Sequence, residues 1–150
     1  MKTVLVTGGF DPIHKGHIEY LKYAKELGDK LIVGLNSDHW LTRKKGQPFM
    51  DLENRAMVIQ SLNMVDEVII FNDEDNTANH AIHQVLQHHD NVIFANGGDR
   101  IKSFVPEYEK YKNDERVKFV FNVGGEKTES SSWLLDKWKS PKTIRKWGYY

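Results

Sequence analysis

The 150-residue chain contains no cysteine. That absence excludes disulfides, thiolate nucleophiles, iron–sulfur clusters and cysteine-ligated zinc. Net charge is absent too, because 21 Lys and Arg side chains match 21 Asp and Glu. No global field draws the chain towards nucleic acid or an anionic membrane, and neither is expected as a partner. Long apolar runs are also missing, and none approaches the ~18–20 residues of a membrane-spanning helix. The apolar stretch at the N-terminus is too short for a secretory signal, which fits a cytoplasmic location. What remains is 39% hydrophobic and 28% charged, the composition of one ordinary globular domain with a real core.

Short β-branched runs alternate with longer helical stretches. Residues 2–7, 31–35, 67–71, 91–95 and 117–123 read as strands. Helical spacing marks 16–27, where Ile18, Leu21, Ala24 and Leu27 recur before Gly28. It also marks 51–63, with Asp51 as N-cap, then 77–88 and 132–139. Residues 39–50, 96–106 and 140–150 carry no clear period and are expected to be irregular. Trp133 and Trp138 lie five apart, and at least one is expected in the core. His80, His83, His88 and His89 read as a solvated helix face, and Asp73-Glu74-Asp75 as an acidic turn before a helix. Alternating strands and helices imply an α/β fold with a parallel sheet covered on both faces. Ligands in such a sheet bind beyond the carboxyl ends of the strands, near the reversal of strand order. Polar clusters follow the first, second, fourth and fifth strands, and all would converge there.

The first cluster is the most informative. Gly8-Gly9-Phe10-Asp11-Pro12-Ile13-His14-Lys15-Gly16-His17 follows the first strand and opens a helix. Its glycine spacing is neither that of a Walker A loop nor that of a dinucleotide fingerprint. Two imidazoles beside the free N–H groups and positive dipole end of a helix suit an anion, and Gly16 lets a ligand approach. Zinc would need further ligands that the motif lacks.

Gly-Gly-Phe-Asp followed by His-Lys-Gly-His resembles the signature of the HxGH nucleotidyltransferases, the cytidylyltransferase-like family, over about residues 1–136. The resemblance implies a Rossmann-like, three-layer α/β/α fold with a five-stranded parallel sheet across residues 1–139. It implies an enzyme that joins a nucleoside monophosphate, from ATP or CTP, to a small phosphorylated acceptor and releases pyrophosphate. A sugar phosphate is the favoured acceptor and glycerol or a polyol phosphate the alternative. A nucleotide-binding module without turnover is the competing class. Mg²⁺ would accompany the triphosphate, held mainly by substrate, and a homodimer is expected.

Carried over residue by residue, the resemblance makes His14, His17 and Lys45 the catalytic groups, with Lys45 on a mobile clamping loop. Gly8, Gly9, Phe10, Gly16, Arg55, Gly98, Asp99, Ser130, Ser131 and Ser132 would bind the nucleotide, and Asp11 and Asp38 the acceptor. Gly9 departs from the Thr or other small side chain usual in the family. Gly124-Gly125-Glu126-Lys127 replaces an Arg-Thr-Glu run, which weighs against glycerol phosphate. Val33-Gly34-Leu35-Asn36-Ser37-Asp38, Lys45-Gly46 and Gly97-Gly98-Asp99 lean towards the heptose-phosphate branch. Residues 140–150 read as a basic-aromatic tail, which resembles the opening of a cupin-type domain.

Overall fold

The computed structural model describes residues 1–98, 105–125 and 130–139. The tail from residue 140, Asp99 and Lys127 therefore lie outside the described residues.

Among the described residues, five strands are each followed by one or two helices. They are β1 (Thr3–Gly8), α1 (Lys15–Glu26), β2 (Lys30–Leu35), α2 (Asp38–Lys45), α3 (Leu52–Gln60), β3 (Glu67–Ile70), α4 (Asn79–Leu86), β4 (Val92–Gly97), α5 (Pro106–Tyr111), β5 (Val117–Val123) and α6 (Ser131–Lys139). The strands form one parallel sheet in the order β3-β2-β1-β4-β5. Strand order reverses between β1 and β4, which places the switch point there. The fold is α/β with a parallel sheet, as the alternation of elements predicts, and Rossmann-like with five strands, as the resemblance implies.

Side chains alternate across each strand, so the sheet has two apolar faces. Val4, Val6, Val33, Ile93 and Ala95 pack with Leu21 and Ala24 of α1 and Ile59 of α3. Leu5, Ile32, Val92 and Phe94 pack with Ala81, Ile82 and Val85 of α4 and Tyr111 of α5. These two clusters make the three layers. Glu107, although buried, accepts a hydrogen bond from the Ala78 N–H at the entrance to α4 (2.9 Å).

α2 occupies a stretch expected to be irregular, and α5 one to which the sequence assigns no element. In α2, Ser37 caps the first turn by accepting from the Trp40 N–H at 3.0 Å, and Gly46 ends the helix at φ +94°. Asp38 at its start and Arg43, Lys44 and Lys45 at its end complement the helix dipole. Only Leu41 is buried, so no apolar period marks the helix. α5 starts at Pro106, with Glu107 and Glu109 in its first turn, and is too short to show a period. Neither tryptophan of α6 enters the core: Trp133 is 50% and Trp138 71% exposed. His80, His83 and His88 are exposed as expected. No helix among the described residues is long and apolar enough to cross a membrane.

Candidate active site

A cavity of about 390 Å³ opens beyond the carboxyl ends of β1, β4 and β5. Its walls come from the turn after β1, the start of α1, one side of α2, the end of β4, the turn after β5 and the start of α6. The polar clusters after the first, fourth and fifth strands meet in this space. The turn after β2 reaches it only through α2.

At the start of α1 the two histidines cap the helix together. His14 is the N-cap, in extended conformation, and its Nδ1 accepts from the Gly16 N–H at 3.1 Å. His17 reaches back, and its Nδ1 accepts from the His14 N–H at 3.2 Å. This is a capping box built from imidazoles instead of a hydroxyl and a carboxylate. A backbone N–H can only donate, so each Nδ1 presents a lone pair. The proton of each neutral ring therefore sits on Nε2, which makes both rings N–H donors on the cavity wall. The rings stack with centroids 3.8 Å apart, and Phe10 packs edge-on against His17 at 4.9 Å. Phe10 holds that place at φ +51°, in the left-handed region that a bulky residue rarely enters.

Across the cavity, Ser130, Ser131 and Ser132 stand at the start of α6. The Ser130 hydroxyl accepts from the Trp133 N–H at 3.0 Å, capping the helix, and the Ser131 hydroxyl donates to the Pro12 carbonyl at 2.7 Å. That second bond joins α6 to the turn carrying the histidines. Gly9, Gly16 and Gly98 line the cavity as well. A Cβ on Gly98 would stand 2.2 Å from the Gly125 carbonyl oxygen, so only glycine lets these turns meet. A Cβ on Gly9 would stand 2.9 Å from Leu41 Cδ2, so the leucine tip on α2 would have to shift to admit it.

Of the expected contacts, Gly8, Arg55 and Asp38 do not line the cavity, whereas Asp11 and Lys45 line it with their charged groups already engaged. Arg55 is wholly buried and does not line the cavity. Its guanidinium donates to the carbonyls of Met50 (3.0 Å), Gly9 (3.0 Å) and Asn36 (2.7 Å), and to Asp38 Oδ1 (2.7 Å). It ties together the turns after β1 and β2 and the start of α3. Asp38, expected at the acceptor, is engaged by that arginine and stands off the cavity. Asp11 lines the cavity, but its buried carboxylate accepts from the Phe49 and Met50 N–H groups, both at 2.6 Å. Lys45 ends α2 on the cavity wall, and its ammonium donates to the Asp11 carbonyl and lies 3.6 Å from Asp11 Oδ2. It belongs to an ordered helix, not to a loop without structure.

The cytidylyltransferase-like family model matches residues 5–142, nearly the whole chain. The chain belongs to the cytidylyltransferase-like family. It is 49% identical over 80 residues to the bifunctional protein HldE of Campylobacter concisus, covering 52% of this chain and 17% of that protein. With the same-named protein of Haemophilus influenzae it shares 41% over 100 residues, 65% of this chain and 20% of that one. The chain thus matches a fifth or less of the length of these curated relatives. Among solved structures, a lipopolysaccharide core biosynthesis protein from Thermoplasma volcanium superposes with a TM-score of 0.64 at 31% identity. That alignment covers 81% of this chain and 96% of the other. A bifunctional NMN adenylyltransferase/ADP ribose pyrophosphatase from Francisella tularensis shares the fold, with a TM-score of 0.60 at 15% identity. It covers 93% of this chain and 42% of that one.

In and beside this cytidylyltransferase-like cavity, several residues escape sequence reading. Tyr20 stands on α1, where its hydroxyl donates to the Ala95 carbonyl of β4 and braces the helix against the sheet. Trp40 presents its ring from α2, with the Lys44 ammonium 4.8 Å from the ring centroid. Asn96 enters from the end of β4. Asp73, read as part of a turn, is buried and accepts from Ser37 N–H (2.7 Å), Ser37 hydroxyl (2.8 Å) and Asn36 Nδ2 (3.1 Å), so it sets the entrance to α2. None of these carries a motif; each is one polar or aromatic residue whose place only the topology reveals.

Proposed function

We propose that this chain transfers a nucleoside monophosphate from ATP or CTP to a small phosphorylated acceptor, a sugar phosphate in preference to glycerol or a polyol phosphate. The observation that carries the reading is the pair of Nε2 donors of His14 and His17, at a helix start facing Ser130–Ser132 at another helix start. Two helix N-termini and two imidazole N–H donors on one cavity suit a triphosphate. A phosphate oxygen of the acceptor attacks the α-phosphorus in line. The bond from that phosphorus to the bridging oxygen breaks, and pyrophosphate leaves with its electron pair. No protein nucleophile is required, since positioning and charge stabilisation supply most of the rate. The imidazoles would strengthen their hydrogen bonds as charge builds on the phosphate oxygens. Lys45 would bring positive charge to the same wall.

Mg²⁺ suits this donor set as a passenger of the triphosphate. The nearby carboxylates of Asp11 and Asp38 are already engaged, the first by two backbone N–H groups and the second by Arg55. Bound there, the ion would neutralise phosphate charge. The similarity to the HldE proteins and the resemblance to the heptose-phosphate branch support a sugar phosphate over glycerol phosphate. Pyrophosphate release measured across four nucleoside triphosphates, with glucose 1-phosphate, a heptose 1-phosphate and glycerol 3-phosphate, tests the reading. Release that depends on one triphosphate and a sugar phosphate is expected. Tight nucleotide binding without release would make the chain a binding module instead.

A further inference from the structure

Asn96 is 2% exposed, and its Nδ2 is buried without a hydrogen-bond partner although the residue lines the cavity. A buried amide donor left unpaired costs stability, so the fold alone gives no reason to keep it there. Its direction follows from the strand. Val92 and Phe94 face α4 and α5, whereas Ile93 and Ala95 face α1 and α3. From Ala95 to Gly97 is two steps on β4, but their partners Val120 and Val123 are three steps apart on β5. The extra residue therefore lies in β5, where Asn122 adopts φ +59°, and β4 keeps its alternation. Asn96 thus stands on the α4–α5 side of the sheet. Thr7, two residues after Leu5 on β1, shares that side and also lines the cavity.

The cavity consequently spans the top of the sheet. On one side are His14 and His17, at the start of the helix that covers the α1–α3 face. On the other are Thr7 and Asn96. In-line displacement puts the attacking oxygen opposite the leaving pyrophosphate. With pyrophosphate on the imidazole side, the acceptor has to enter from the side of Thr7 and Asn96. We propose that Asn96 is a specificity-determining residue, whose amide donates to a hydroxyl oxygen on the carbon skeleton of the acceptor. This rests on the nucleotidyl-transfer reading above. It goes further by naming the group that selects a hydroxylated acceptor and the side from which that acceptor comes.

Asn96→Ala and Asn96→Asp both remove the donor, the second with little change of shape. With the acceptor that wild type uses best among glucose 1-phosphate, mannose 1-phosphate, a heptose 1-phosphate and glycerol 3-phosphate, KM for the acceptor should rise about tenfold or more. KM for the triphosphate should stay within about twofold, and the Tm of Asn96→Ala should not fall below that of wild type. An unchanged acceptor KM, a KM rise for the triphosphate alone, or a clear fall in Tm would overturn the proposal. The second of these would assign the amide to the nucleoside, the third to the fold. If wild type releases no pyrophosphate with any pair, the transfer reading fails, and Asn96 is then judged by binding. Its side-chain amide resonance should shift when the same four phosphates are added beside an α,β-methylene triphosphate, and no shift with any of them would refute the assignment.

Discussion

His14 serves two purposes that substitution can separate. Its Nδ1 caps α1 while its ring lines the cavity, so His14→Ala loses a cap worth about 1 kcal/mol as well as a donor. His14→Asn keeps a good cap and loses only the donor. His17→Ala removes a donor and, with it, the acceptor that His17 Nδ1 offers to the His14 N–H. We expect His14→Asn to lower kcat by roughly 10²–10³ while its thermal unfolding stays near wild type. His14→Ala and His17→Ala should each lose rate by a similar factor and some stability as well, and steady-state kinetics beside a melting curve separates them from His14→Asn. Arg55 is the opposite case. Removing it leaves three carbonyls and the Asp38 carboxylate without their donor, so Arg55→Met should cost roughly 3–5 kcal/mol in denaturant unfolding. A direct nucleotide contact would instead raise KM for the triphosphate with little loss of stability. The motif around His14 and His17 was legible because two rare side chains and a glycine at a helix start have few structural uses. Arg55 was not, because the resemblance puts it at the nucleotide and nothing in Glu53-Asn54-Arg55 announces that the fold buries it.

At the scale of elements, long amphipathic helices and β-branched strands declared themselves, and Asp51 caps α3 as its sequence context predicts. α2 stayed hidden because Leu41 alone is buried and the stabilising features are caps and end charges. Yet α2 shapes the site: it fills the space beside Gly9 and carries Trp40, Lys44 and Lys45 to the cavity. The join between β4 and β5 is equally exacting. Gly98→Ala drives a Cβ to within 2.2 Å of a backbone oxygen, whereas a Cβ on Gly97 meets nothing within 4 Å. Gly98→Ala should therefore destabilise by roughly 1–3 kcal/mol and Gly97→Ala by far less. Equal melting temperatures for the two variants would show that the turns can part freely.

Over the whole molecule, equal numbers of opposite charges leave stability to local groups. His89 is half-buried, with Nδ1 3.1 Å from the Thr3 hydroxyl at the start of β1. Burial pushes its pKa down, helped by the nearby Lys30 charge. The folded state therefore binds this proton less readily than the unfolded state does. Its contribution is complete above the unfolded value, near ~6.5, and is lost as pH falls through the lower folded value. Asp66 acts in a more acidic window. Its hydrogen bond from Lys25, then that from the Leu31 N–H, hold its pKa below the usual carboxylate value. Its contribution is present above the unfolded value, near ~3.9, and fades as pH falls through the folded one. Denaturant titrations should show stability falling as pH drops below about 6.5, with a shallower fall in His89→Gln.

The most direct test of nucleotidyl transfer follows the α-phosphorus itself. Triphosphate labelled at that atom is mixed with Mg²⁺ and a sugar phosphate, and the label is traced with wild type and with His17→Ala. Label should appear in the acceptor in equal amount to the pyrophosphate released, and the rate should fall by roughly 10²–10³ in the variant. Label recovered only as free nucleoside monophosphate, at a rate independent of the acceptor and of His17, would contradict the account.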